Sequence, residues 1–242
     1  MRDDYHEPDV DNEATEDEIE RTVIIVATHN EHKIEEISRT LLPLLGMPVE
    51  LRPTSGKPPK EDGETFAENA LIKARAAFAQ TGLPAIADDS GICVDALDGK
   101  PGIHSARYTE AGTDEANRKA LLEALRGVKD RTATFVCAFA FVTAEGERVE
   151  VGEWPGRVRA AEKGDGGFGY DPIFAPNGIS GTAAELTPTE KAALSHRARA
   201  IGQIAPAAGS PSQYIRLAKK SAINRNVVGR VCLHWGGCRP AW

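Results

Sequence analysis

The stretch Thr28-His29-Asn30-Glu31-His32-Lys33 follows a short apolar run and precedes a helical pattern. The first N–H groups of a helix have no partner inside it, and the helix dipole adds partial positive charge there. With Lys33 in the first turn, the segment has the parts of a phosphate cradle. It is not a Walker loop, since the Gly-x4-Gly-Lys-Ser/Thr pattern is missing. A capped helix with a solvated lysine is the plainer alternative.

Asp88-Asp89-Ser90-Gly91 ends the apolar run Ala85-Ile86-Ala87. Two carboxylates at a strand end, held by a tight Ser-Gly turn, suit a hard cation such as Mg2+, which takes one or two carboxylates and keeps several waters. Neighbouring strand residues face opposite ways, so one aspartate faces the site and the other has a supporting role. Glu61, Asp62, Glu64 and Glu68 are further acids upstream. Gly166-Gly167-Phe168-Gly169-Tyr170-Asp171 is the third stretch: glycines admit close approach, two aromatic faces can stack a base, and Asp171 is an acceptor. Lys191, His196 and Arg197 follow. An anion cradle, a cation site and an aromatic platform together make a nucleoside triphosphate site.

The elements that must position these groups alternate. Val23–Ala27 is a β-branched strand buried on both faces, and Ile34, Ile37, Leu41 and Leu45 mark a helix disturbed late by Pro43 and ended by Gly46. A loop runs from Pro53 to Gly63. Phe66, Ala70, Ala74 and Phe78 form one stripe of a second helix from Thr65, stopped by Gly82 and Pro84. A third helix spans Asp114 to Leu125. Thr132–Thr143 is a strand rich in Phe, Val and Thr, turning at Glu145-Gly146 into Arg148–Glu153. Thr187-Pro188-Thr189-Glu190 is a capping box, and Ser195 caps a last helix. The fold class is α/β with a mixed sheet.

Composition sets the limits. The chain has 242 residues, 41% of them hydrophobic, and a net charge of −7. That is enough chain for a core without disulfide or metal staples. The longest apolar run, Phe135–Val142, is far short of the roughly 20 residues a membrane helix needs. No basic start with an apolar stretch marks a signal peptide, so a cytoplasmic protein is expected. Residues 1–21 carry ten acids against two arginines, while residues 206–242 carry six Lys/Arg and no acid. Residues 1–20 read as an acidic disordered tail, 21–205 as the folded domain and 206–242 as a basic extension. A net-acidic chain without a basic face is a poor general nucleic-acid binder. Cys93 and Cys137 read as small buried thiols, and the Cys232-x-His234-x3-Cys238 spacing matches no standard zinc site.

Five stretches, VATHNEHKIEEI, EDGETFAENALIKARAAF, LPAIADDSGICVDALDGKPGIHSARY, GGFGYDPIFAP and AAELTPTEKAALSHRARA, cover roughly residues 22–204. In that order they resemble the inosine triphosphate pyrophosphatases, the Ham1-like dITP/XTP group. The resemblance implies an elongated mixed sheet flanked by helices, in two lobes with a central cleft, usually as a homodimer. The implied reaction is Mg2+-dependent hydrolysis of ITP, dITP or XTP to the monophosphate and pyrophosphate, keeping deaminated purines out of nucleic acids. It assigns Asp89 as proton acceptor and metal ligand, with Glu61 as a second ligand. Thr28, Asn30 and Lys33 become triphosphate contacts, along with the intervening His29, Glu31 and His32. Ser90, Phe168, Gly169, Tyr170, Asp171, Lys191, His196 and Arg197 become substrate contacts. His29 and His32 stand where such loops often carry small residues, and Lys60 stands where a glutamate is frequent. A pyrophosphatase for other modified nucleotides and a nucleotide-binding protein without turnover remain alternatives.

Overall fold

A computed structural model of the chain describes residues 22–205. The acidic head, the basic extension and the Cys232/His234/Cys238 group lie outside the described residues. One six-stranded sheet runs in the order β2-β1-β3-β4-β5-β6. Its strands are β1 (Thr22–Val26), β2 (Val49–Pro53), β3 (Ala85–Val94), β4 (Thr132–Thr143), β5 (Gly146–Val158) and β6 (Phe174–Pro176). The β1–β2 and β1–β3 pairs are parallel and the remainder antiparallel, so the expected mixed α/β sheet is present. The edge strands β2 and β6 lie outside the sequence reading because both are short: β2 alternates over only Val49-Glu50-Leu51-Arg52 before Pro53, and β6 is three residues long.

Among the described residues five α-helices flank the sheet: α1 (Glu31–Leu45), α2 (Phe66–Thr81), α3 (Asp114–Ala124), α4 (Pro188–Leu194) and α5 (His196–Ile204). Local side chains set their starts. Asn30 accepts from the Lys33 N–H, Thr65 with Glu68 and Thr187 with Glu190 form capping boxes, and Ser195 caps α5. Pro43 is accommodated inside α1, which runs to Leu45 before Gly46 ends it.

One face of the sheet presents Ile24, Val26, Ile86, Cys137, Phe139 and Phe141 to α1 and α5. The other presents Ile25, Ala27, Ala85, Ala87, Ala138 and Ala140 to α2. The α2 stripe is alanine-rich as well (Ala70, Ala74, Ala77), so helix and sheet meet through small side chains. A third cluster, around Ile92, Leu121, Phe135, Trp154 and Phe174, closes the far end.

Three expectations need correction. Asp88-Asp89-Ser90-Gly91 is not a turn: β3 continues through it, because β4 offers a partner at every position, from Ala85↔Val142 to Val94↔Ala133. β5 also runs past Glu153 to Val158, with Trp154 buried. Cys137 is buried as expected, whereas Cys93 is only half-buried.

Gly91 therefore serves close approach, not turning. A Cβ there would lie 2.3 Å from the Gly102 carbonyl oxygen and 2.4 Å from Ser105 Oγ. Ser105 Oγ ties this contact by accepting the Ile92 N–H at 3.0 Å. Gly91→Ala should thus destabilise the fold by about 1–3 kcal/mol, the range for overpacking. A lowered urea midpoint with unchanged m-value checks this; an unchanged midpoint contradicts the packing argument.

Candidate active site

Alternation along β3 sends Asp88 and Asp89 to opposite faces of the sheet. Asp88 shares the face of Ile86 and meets α1 and α5. Asp89 shares the face of Ala87 and meets α2. The two carboxylates live in different environments for this reason.

Asp88 is buried. Its Oδ2 lies 3.1 Å from Lys33 Nζ and 2.8 Å from Arg197 Nη2, and it accepts from Ser90 Oγ at 3.0 Å. Burial opposes its charge, but Lys33, Arg197 and Lys73 outweigh burial and hold the carboxyl well below the usual range. Asp88 is thus a fixed anion that anchors cations. Glu36 extends the network: it pairs with Arg197 Nη1 and, at 2.6 Å, with Lys191 Nζ. Burial disfavours its charge as well, yet Arg197 and Lys191 keep its carboxyl below normal. Lys191 also pairs with the buried Asp171.

On the opposite face, Lys73 Nζ donates to Asp89 Oδ1 at 2.9 Å and lies 3.6 Å from Glu61. Asp89 Oδ2 is buried and has no hydrogen-bond partner among the described residues. Burial pushes the Asp89 carboxyl up, against the pull of Lys73 and Lys33. It is a better proton acceptor than a surface aspartate.

Two adjoining cavities meet at Asn30, Lys33, Ser90 and Ala106. The first, about 290 Å³, is lined by Thr28, His29, Asn30 and Lys33 from the start of α1, by Lys57, Glu61 and Lys73, and by Asp89, Ser90 and Arg107. The second, about 100 Å³, is lined by Phe168, Gly169, Tyr170 and Asp171, by Lys191, His196 and Arg197, and by Asp114 and Phe135. Lys191 Nζ sits 4.7 Å from the Phe168 ring centroid and Arg197 Cζ 5.8 Å from it. His32 stacks on Phe168 with centroids 5.4 Å apart. His196 is buried against Phe135, ring to ring at 4.7 Å, and burial together with Arg197 and Lys191 depresses its pKa well below the ordinary histidine value.

Among the assigned site residues the structure gathers all but Glu31, which is exposed and lines neither cavity; of the further upstream acids, Asp62, Glu64 and Glu68 also stay outside, Asp62 beside Lys60 and Glu68 in the cap of α2. His32 reaches the site through Phe168 alone. Lys73, Glu36, Lys57 and Arg107 were not singled out. Spacing held a hint for Glu36, three residues after Lys33 and so on the same side of α1. Nothing local marks Lys73.

A Ham1 family model matches residues 24–207. The chain is 49% identical over 195 residues to a dITP/XTP pyrophosphatase of Mycolicibacterium paratuberculosis, covering 76% of this chain and 94% of that one. It is 48% identical over 193 residues to a dITP/XTP pyrophosphatase of Streptomyces coelicolor, covering 76% and 96%. Among solved structures it resembles a HAM1 protein from Coxiella burnetii, with TM-score 0.69, 39% identity and coverage of 77% and 98%. It also resembles a dITP/XTP pyrophosphatase from Mycobacterium abscessus, with TM-score 0.61, 46% identity and coverage of 76% and 97%.

The depressed pKa of His196 has a defined consequence for stability. Folding favours its neutral form, so its contribution is complete above the unfolded value of roughly 6.5 and is lost as pH falls toward the lower folded value. Between pH 6.5 and 5.5 the unfolding free energy should drop by at most about 1.4 kcal/mol per pH unit from this one proton. Urea unfolding of wild type and His196→Gln across that range tests it: the slope should flatten in the variant, and equal slopes would exclude His196 as its source.

Proposed function

The chain belongs to the Ham1 family, and from that premise we propose that it hydrolyses dITP, ITP and XTP to the monophosphate and pyrophosphate. The observation that carries this reading is the pairing of Asp89, raised in pKa and with one oxygen unpartnered, with a cation-lined cavity that adjoins an aromatic one.

The first cavity takes the triphosphate. Lys33, Lys57, Lys73 and Arg107 line it together with the N-terminus of α1, so charge is met by both side chains and helix dipole. Asp89 takes the proton from the attacking water. The oxygen of that water forms a bond to the α-phosphorus as the bond to the β-phosphate oxygen breaks, and pyrophosphate leaves. Lys73 fixes the Asp89 carboxylate through its 2.9 Å hydrogen bond and offsets charge nearby.

A divalent cation such as Mg2+ fits this donor set. Among the described residues there is no group of three or more His, Cys, Asp or Glu that could hold a metal alone. Mg2+ does not need one: one or two carboxylates, with phosphates and waters, complete its shell. The unpartnered Asp89 Oδ2, with Glu61 in the same cavity, meets that requirement. Bound there, the ion would supply charge neutralisation and polarise a phosphoryl oxygen.

The second cavity takes the base. Phe168 offers its face, while Lys191 and Arg197 are donors beside it and Asp171 is an acceptor. Hypoxanthine and xanthine present a 6-keto acceptor next to an N1–H donor. Adenine presents the inverse pattern and leaves buried groups unpaired, which hydrogen-bonding sites reject by orders of magnitude. The proposal places this activity in residues 21–205, in a cytoplasmic homodimer. Among the described residues no helix is long and apolar enough to cross a membrane.

Pyrophosphate release from dITP, XTP, dATP and dGTP tests the reading: dITP and XTP should turn over fastest with Mg2+, and a chelator should abolish release until Mg2+ is restored. Equal rates on dATP would overturn the substrate assignment. Asp89→Asn should lower kcat by about 10²–10⁴-fold, the range for a lost general base, without lowering the melting temperature. Near-normal turnover in that variant would remove Asp89 as the base.

A further inference from the structure

The loop that carries Phe168 is held from outside the sheet. Gly169 sits in the left-handed region, φ 62°, with open space where a Cβ would be. Glycine is there for conformation, and the conformation turns both of its backbone polar groups to α3. Its N–H donates to Asp114 Oδ2 at 2.7 Å, and its carbonyl oxygen accepts from Arg118 Nη1 at 2.9 Å. Asp114 and Arg118 are one turn apart, on the same side of α3. Arg118 Nε also lies 3.1 Å from Glu162, on the strand-to-loop segment that leads into Phe168, so one guanidinium spans the start and tip of the loop.

The neighbours of Gly169 are fixed independently. Phe168 N–H donates to Asp171 Oδ2 at 2.8 Å, and the Tyr170 hydroxyl donates to the Ser105 carbonyl at 2.8 Å. The Phe168 ring thus stands between an internal anchor, Asp171, and an external one, α3. Without the external anchor the Gly166–Gly169 run leaves its backbone free to move, and the ring moves with it.

We infer that Asp114 and Arg118 are positioning residues for the base-binding face of Phe168, gripping the Gly169 backbone from both sides. The inference rests on the nucleotide reading above and deepens it, by assigning recognition of the base in part to a helix that supplies no phosphate contact. Asp114 itself lines the base cavity, whereas Arg118 does not, so Arg118 is the residue whose influence must pass through the loop and its variant is the one that decides. Both hydrogen bonds are partly exposed, so their loss leaves the global fold largely intact and appears in local geometry.

The test measures KM and kcat for dITP, with inorganic tripolyphosphate as a competitive inhibitor that reads the phosphate cavity alone. Asp114→Ala and Arg118→Met should each raise KM for dITP by about five- to tenfold, the worth of a hydrogen bond, with kcat within about twofold. The inhibition constant of tripolyphosphate should not move. Asp114→Asn, which keeps an acceptor oxygen, should restore most of the loss, and the double variant should be little worse than either single one, since both act on one loop. An unchanged KM in Arg118→Met, or a tripolyphosphate constant that rises in step with KM, would overturn the inference. Absence of dITP turnover in the wild-type protein would instead sink the nucleotide reading itself.

Discussion

The site depends on one constraint: adjacent residues of an extended strand face opposite sides of a sheet. Because β3 stays extended through Asp88 and Asp89, two identical side chains are handed to two different helix layers. Asp88 meets Lys33 and Arg197 and is locked as an anion. Asp89 meets Lys73 at close range, keeps one oxygen without a partner among the described residues and has its pKa raised by burial. A turn at these residues would have released both to solvent and to each other, and neither role would follow.

The price of this arrangement is a set of buried charges. Asp88, Glu36, Asp171, Lys191 and Arg197 are all shielded from water to a large degree. Each is tolerable only because it is paired, since an isolated buried ion is expensive and a half-satisfied network worse than an apolar one. Such a network gives little net stability relative to a hydrocarbon core. What it gives is placement. Arg197 is tied to Glu36 on α1 and to Asp88 on β3, and Lys191 to Glu36 and Asp171, so the donors beside Phe168 have few alternative positions.

Local signals in the chain were legible where the structure is local. The caps at Thr187 and Ser195 and the helix start at Thr65 were readable, because a cap is a contact three residues long. So were the strand Thr132–Thr143 and the order of the site motifs. The reading of Asp88–Gly91 as a turn failed for the opposite reason. A Ser-Gly pair after two aspartates is ordinary turn chemistry, and only the β4 partner and the Ser105 contact show why glycine is needed in a straight strand. Lys73 and Arg107 were invisible because their partners, Asp89 and Glu61, are distant in sequence. The same holds for Asp114 and Arg118, whose partner lies more than fifty residues on. Long-range pairing was legible only through resemblance to a family, and resemblance carries over residues a motif contains, not those it leaves between.

The two cavities share Ala106 and three polar residues, Asn30, Lys33 and Ser90, and the polar three join the phosphate site to the base site. Ser90 donates to Asp88 and accepts from Arg197, which faces the base cavity, while lining the phosphate cavity itself. Lys33 lines both cavities and is held by Asp88. A base that fails to seat against Phe168 and Arg197 therefore disturbs a lysine and a hydroxyl on which the phosphates rest. A purine whose hydrogen-bonding edge does not match the cavity is seated differently and so changes the geometry at the α-phosphate, which is costly to rate, whereas dITP once bound keeps its own seat even where the Phe168 loop is loosened. The arrangement couples what the base is to whether its phosphates are cleaved.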